Sequence, residues 1–186
     1  MTIRFHKHDL PDLDLYTGDV AIDSETLGLK PARDRLCVVQ LSPGDGSADV
    51  VQIAKGQKKA PNLTKLLKDK SKTKIFHFGR FDIAVLLQTF GVETNPVYCT
   101  KIASRLTRTY TDRHGLKDLS RELLGVDMSK QQQSSDWAAE ELSQAQLEYA
   151  ASDVLYLHKL RDILSERLAR EGRTKIADQC FRFLPT

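Results

Sequence analysis

The stretch that most limits what this chain can become is Asp19-Val20-Ala21-Ile22 running into Asp23-Ser24-Glu25-Thr26-Leu27-Gly28-Leu29. The β-forming run reads as a buried strand. Side chains two apart on a strand point to the same side, so Asp23 and Glu25 present two carboxylates together where that strand ends. Adjacent carboxylates repel. A divalent cation, a shared proton or exposure to water must compensate them, and the pair alone does not choose among the three.

The segments that follow predict what surrounds the pair. Leu36-Cys37-Val38-Val39-Gln40-Leu41 and Ala48-Asp49-Val50-Val51-Gln52-Ile53 are β-rich and separated by the turn Ser42-Pro43-Gly44-Asp45-Gly46-Ser47, which makes a three-stranded meander. Asn62 is placed to cap a short helix carrying Leu63, Leu66 and Leu67, and Lys74-Ile75-Phe76-His77-Phe78 reads as a further strand. Gly79 breaks that run. Ile83, Leu86, Leu87 and Phe90 then fall at helical spacing up to Gly91, with Asp82 in the first turn just beyond a strand end.

A brief strand Val97-Tyr98-Cys99 leads into helices over Thr100–Thr107 and Gly115–Leu124, and the polar stretch Val126–Glu140 reads as a loop with Trp137 as a packing anchor. Ser143 with Gln146 forms a capping box, and Leu147, Ala150, Ala151, Val154 and Leu157 mark one face of a helix extending to about residue 170. On a neighbouring face, Tyr149 and Asp153 lie one turn apart. The tail 173–186, with Phe181, Phe183 and Leu184, is too apolar for a free end and is expected to pack on the core or on another subunit. Strands followed by alternating helices and strands predict an α/β architecture with a mixed sheet flanked by helices.

With 186 residues, 40% apolar and 28% charged, the chain reads as one folded domain over 1–186. Its start lacks the apolar core of a signal peptide and no run is long enough to span a bilayer, so no membrane association and a cytoplasmic location are expected. Cys37, Cys99 and Cys180 have neither metal-ligand nor redox spacing and read as reduced packing residues. The net charge of +3 is too small to prove a nucleic-acid partner, but the basic residues cluster. Eight lysines from Lys55 to Lys74 read as a solvated connection, whereas Lys101, Arg105, Arg108, Arg113, His114, Lys117 and Arg121 are better placed for phosphate.

Individually, Asp82 reads as a helix-start residue favoured by the dipole, and Tyr149 with Asp153 as a hydrogen-bonded helix pair. Together and in order, Asp-x-Glu at a strand end, Phe-Asp opening a helix and Tyr-x-x-x-Asp on a late helix resemble the DEDD-type 3'-5' exonucleases with tyrosine in the third motif. The likeness is to their ribonuclease D branch. It extends through His77-Phe78-Gly79-Arg80-Phe81-Asp82, Gly115-Leu116-Lys117-Asp118-Leu119, Lys130 with Ser135-Asp136-Trp137, and Gln146 to Asp153, covering roughly residues 19–165. Longer members of that branch carry helical RNA-binding domains after the catalytic one. A single-domain version is similar to the nano-RNase C group, which removes very short RNA and is associated with octameric rings.

The resemblance implies a ribonuclease H-like fold and two divalent cations, Mg²⁺ or Mn²⁺, held by Asp23, Glu25, Asp82 and Asp153. It implies that Asp23 bridges the ions, that Glu25 and Asp153 complete the site holding the attacking water, and that Asp82 holds the ion nearer the leaving group. Tyr149 would orient that water. The expected substrate is short single-stranded RNA, with longer RNA or DNA as the near alternative and a non-catalytic nucleic-acid-binding module as a different one. Thr26, Leu27, Gly28 and Leu29 would wall the 3' end, with Leu29 or Leu27 wedged between the last two bases and Gly28 allowing close backbone approach. His77 is a candidate for phosphate or ribose. Arg105, Arg108, Arg113 and Lys117 are candidates, on charge alone, for the 5' phosphate. A phosphatase reading of Asp23-Ser24-Glu25-Thr26 would want a second Asp where Glu25 stands.

Overall fold

The computed structural model describes residues 1–186. Six strands form one mixed sheet: β1 (Thr2–Lys7), β2 (Val20–Thr26), β3 (Leu36–Ser42), β4 (Ser47–Gln52), β5 (Lys74–Phe76) and β6 (Val97–Cys99), in the order β1-β4-β3-β2-β5-β6. β2, β3 and β4 are the expected antiparallel meander, while β1 on β4, β5 on β2 and β6 on β5 are parallel. The meander's strands are buried almost throughout, with the alternation characteristic of one solvated face lost, as expected of strands covered on both sides.

The helices are α1 (Pro61–Lys68), α2 (Gly79–Phe90), α3 (Thr100–Thr107), α4 (Leu116–Leu124), α5 (Gln144–Leu155), α6 (Leu157–Arg170) and α7 (Thr174–Phe183). None is long and apolar enough to cross a membrane. The main core joins Ile22, Leu41, Leu63, Phe76, Leu86 and Leu119 to Leu157 and Leu160 of α6. A smaller cluster holds Trp137 against Cys37, Val38, Val50 and Ala150, the anchoring role expected of that tryptophan. The three cysteines are free, as read.

Several expectations change. β1 was not foreseen; its Arg4 reaches Asp49 on β4 at 2.8 Å. Asn62 does not cap α1: the helix begins at Pro61, and the carboxylate of Asp9 takes the free backbone N–H groups of Asn62 and Leu63. Lys74 is not solvated but wholly buried, donating from Nζ to the carbonyls of Asp69, Lys72 and Asn95 at 2.6–2.8 Å. The helix expected to run unbroken from residue 143 to 170 divides at Tyr156, with the Ser143–Gln146 capping box in place at its start. α5 packs over β2, β3 and β4, whereas α6 packs on α3 and β5. Because a sheet twists from strand to strand, one straight helix cannot follow both regions. The tail packs on the core through α7, with the Phe181 ring 4.5 Å from that of Tyr98, although Phe183 is left exposed.

Candidate active site

β2 carries Asp23 and Glu25 to one side of the sheet, and α5, laid across the meander on its small residues Ala150 and Ala151, brings Asp153 over them. Ligand oxygens of Asp23, Glu25 and Asp153 all lie within 4.8 Å of one another. Asp82 stands just outside that set. It is buried in the first turn of α2, and its Oδ1 accepts from Ser24 Oγ at 2.5 Å. A residue not foreseen lies beneath the pair: Gln40, opposite Asp23 on β3 and wholly buried, points Nε2 at Asp23 Oδ2 (3.4 Å) and Glu25 Oε1 (3.3 Å). A glutamine inside the otherwise apolar run Leu36–Leu41 was the signal that could have found it.

The electrostatics follow from crowding these acids together, Asp82 buried and the other three half-buried. Burial raises the proton affinity of Asp23. For Glu25 burial acts first, and the charges of Asp23, Asp153 and Asp82 add to it. Asp82 and Asp153 are likewise raised, by burial and then by Asp23. Four such groups cannot all ionise unless positive charge joins them. Hard carboxylate oxygens converging at this spacing suit a divalent cation, so the donor set fits the metal expected from sequence. Tyr149, one turn before Asp153, has its phenol pushed up by burial and next by Asp153, so it stays protonated.

Asp23, Glu25, Tyr149 and Asp153 open on a cleft of about 330 Å³ lined also by His77, Phe78, Lys101, Lys117, Lys130 and Gln133. Of the four cations nominated for the 5' phosphate, Lys117 alone lines it. Arg105 and Arg113 are exposed elsewhere. Arg108 is a correction: it is buried, paired with Glu122 and bonded to Ser104 Oγ and the Arg113 carbonyl, so it is not free to hold a ligand. Lys101, of the same basic group, shares the wall with Lys117, and so does Lys130, which lies outside that group; charge along a sequence does not tell which lysines share a wall. His77 lines the cleft, but its Nδ1 is bonded to Thr100 Oγ1 at 2.9 Å and its Nε2 is buried. Burial, with Lys101 next, holds its pKa down to about 3, so it is neutral. Leu27 and Leu29 are exposed at 54% and 83%, free to meet a ligand. Thr26 Oγ1 instead donates to the Gly28 carbonyl at 2.5 Å. The close approach that Gly28 permits is made by the Asp34 carboxylate, which a Cβ there would overlap.

Residues 7–169 match the model of the 3'-5' exonuclease family, more than half of the chain. The chain belongs to the 3'-5' exonuclease family. Among its relatives, ribonuclease D of Gluconacetobacter diazotrophicus is 37% identical over 154 residues, which are 83% of this chain and 39% of that protein. The chain thus spans about two fifths of the curated relative's length. The structure of Brucella melitensis NrnC is 74% identical with a TM-score of 0.97, covering all of this chain and 91% of that one. That protein is also described with bound Mg²⁺ and bound to pGG. Escherichia coli RNase D, 27% identical over 92% of this chain and 45% of its own, superposes with a TM-score of 0.82. The ribonuclease H-like fold expected of this exonuclease is therefore the one observed.

Proposed function

We propose that this exonuclease is a divalent-metal-dependent 3'-5' exoribonuclease that hydrolyses short RNA to nucleoside 5'-monophosphates. The observation that carries the reading is the meeting of the Asp23, Glu25 and Asp153 carboxylates within 4.8 Å, beside Asp82 and Tyr149, in a cleft with Lys101, Lys117 and Lys130 on its walls. Asp23, Glu25, Asp82 and Asp153 would hold two cations, Mg²⁺ or Mn²⁺. When bound, such a pair neutralises charge on the phosphate and lowers the pKa of water to the neutral range. The bound Mg²⁺ in the 74% identical Brucella protein's counterpart structures supports the metal, and its complex with pGG supports a short substrate.

The chain's own groups divide the remaining work. Tyr149, protonated, orients the attacking water through its phenol oxygen. The exposed Leu27 and Leu29 meet the last bases at the 3' end, next to the carboxylates. Lys117, with Lys101 and Lys130, meets phosphate oxygens, which replaces the arginine set suggested by charge alone. A closed ring of subunits with sites facing a channel would exclude longer strands by geometry, and the mass in solution reads that separately.

The test is cleavage of 5'-labelled RNA of two nucleotides and of about twenty, the longer exceeding a single binding groove, with Mg²⁺ or Mn²⁺, for wild type and Asp23→Ala. The dinucleotide should disappear much faster, and the variant should be inert. Stepwise shortening of the long strand with dinucleotide left over would replace short RNA by a broader exonuclease substrate. Binding without cleavage would make the chain a binding module.

A further inference from the structure

Between β5 and α2 the backbone adopts a conformation that side chains resist. Phe78 has φ +63° and ψ +42°, in the left-handed region, and His8 is the only other non-glycine residue with positive φ. Bulky residues are strained there, glycine is not, and such strain persists where the surroundings over-determine it, typically beside bound ligands. The surroundings here are tight. Phe76 is buried in the core, and a Cβ on Gly79 would lie 2.7 Å from that of Phe76. His77 ties the end of β5 to Thr100 at the start of α3.

The consequence is an aromatic ring turned outward. Phe78 is 49% exposed, against 1% for Phe76 two residues earlier. It faces the same cleft as Asp23, Glu25, Tyr149 and Asp153. Lys101 Nζ sits 4.3 Å from its ring centroid, so the ring and an ammonium form one unit on the cleft wall. Neither local propensity nor burial favours phenylalanine at this position. A ligand with a flat π-face and an adjoining anion would favour it.

Resting on the nuclease reading above, we infer that Phe78 is the platform on which a base of the RNA stacks, with Lys101 held beside it to meet the neighbouring phosphate. Every base has a π-face, so the contact is tolerant of sequence. Stacking occurs away from the reacting phosphodiester, so it acts on substrate binding and leaves the chemical step to the carboxylates.

The experiment measures KM and kcat of the full chain with Mg²⁺ on RNA carrying both bases, or an abasic ribose at one or the other of its two 3'-terminal positions. Phe78→Ala should raise KM for the complete RNA by roughly tenfold, with kcat and Mg²⁺ dependence unchanged. Phe78→Tyr and Phe78→Trp should keep the wild-type KM. One abasic RNA should bind wild type as weakly as complete RNA binds Phe78→Ala, and be indifferent to that substitution. Phe78→Gly should share the raised KM yet melt at a higher temperature than Phe78→Ala, because glycine relieves the backbone, and it carries the test should Phe78→Ala not fold. Unchanged KM in Phe78→Ala or Phe78→Gly, or equal sensitivity of both abasic RNAs to the substitution, overturns the platform while leaving the nuclease intact. No turnover of any RNA by wild type overturns both.

Discussion

Gln40 illustrates how much of the site is decided one residue behind the groups that do the chemistry. Its amide has two N–H bonds to give, and they are aimed at two acids that would otherwise repel each other and drift apart. Outer groups that orient metal-binding side chains commonly matter nearly as much as the ligands. Gln40→Leu, close in volume and unable to donate, is expected to weaken Mg²⁺ affinity roughly 10- to 100-fold with the fold intact, measured by titrating activity with Mg²⁺ and by calorimetry. Unchanged affinity would reduce Gln40 to a filler of the sheet. Arg108 teaches the opposite lesson: it has the right charge in the right segment, yet Glu122 and Ser104 have already claimed it.

At the scale of elements, the parallel edge strand β1 is held by polar groups that meet at one carboxylate. Asp49 on β4, buried, accepts from Arg4 Nε at 2.8 Å and from Tyr16 Oη at 2.5 Å, with His6 Nε2 at 2.7 Å. Burial pushes this carboxyl up, but the bonds from Arg4, Tyr16 and His6 outweigh it, and its pKa lies below the ordinary 3.8. A lowered folded pKa means that the contribution is fully present above the ordinary carboxylate range and is lost as pH falls through the folded value. Asp49→Asn leaves Arg4 without its counter-charge and should cost about 2–4 kcal/mol at pH 7, read by urea unfolding. The two proteins' stabilities should converge toward acid pH. A constant difference down to pH 2 would mean that packing, not charge, holds β1. The alternation of Ile3 and Phe5 with Arg4 and His6 was a legible strand signal. Its partner was not legible, since no local pattern announces a parallel pairing to β4.

Across the whole molecule, the carboxylate cluster sets function against stability. Four crowded acids, Asp82 buried and the other three half-buried, raise one another's proton affinity and strain the metal-free fold. On the proposed function, a cation that binds only the native state stabilises it by mass action, ~2.7 kcal/mol at about 100 times Kd. For a chain of this size that is a rise of about 5–10 °C in melting temperature. Mg²⁺ should therefore raise the wild-type Tm and chelation should reverse the rise. Asp23→Asn without metal should melt above metal-free wild type and respond little to Mg²⁺. Calorimetric scans showing no wild-type response would remove the metal from this site.

What the sequence by itself determined were the features governed by neighbours along the chain. The meander, the helical faces of α2 and α5 and the Ser143 capping box follow from periods of two and 3.6 and from turn residues, while the order of Asp23, Glu25, Asp82, Tyr149 and Asp153 carries the resemblance to the exonucleases. Tertiary structure alone decided which groups meet. It placed Gln40 under the acids, set Asp9 as the cap of α1, buried Lys74 and Arg108, broke the late helix at Tyr156 and turned Phe78 outward. Those outcomes depend on desolvation, charge pairing and the twist of a sheet whose strands lie far apart in the chain, and burial is a property of the packed molecule rather than of any residue.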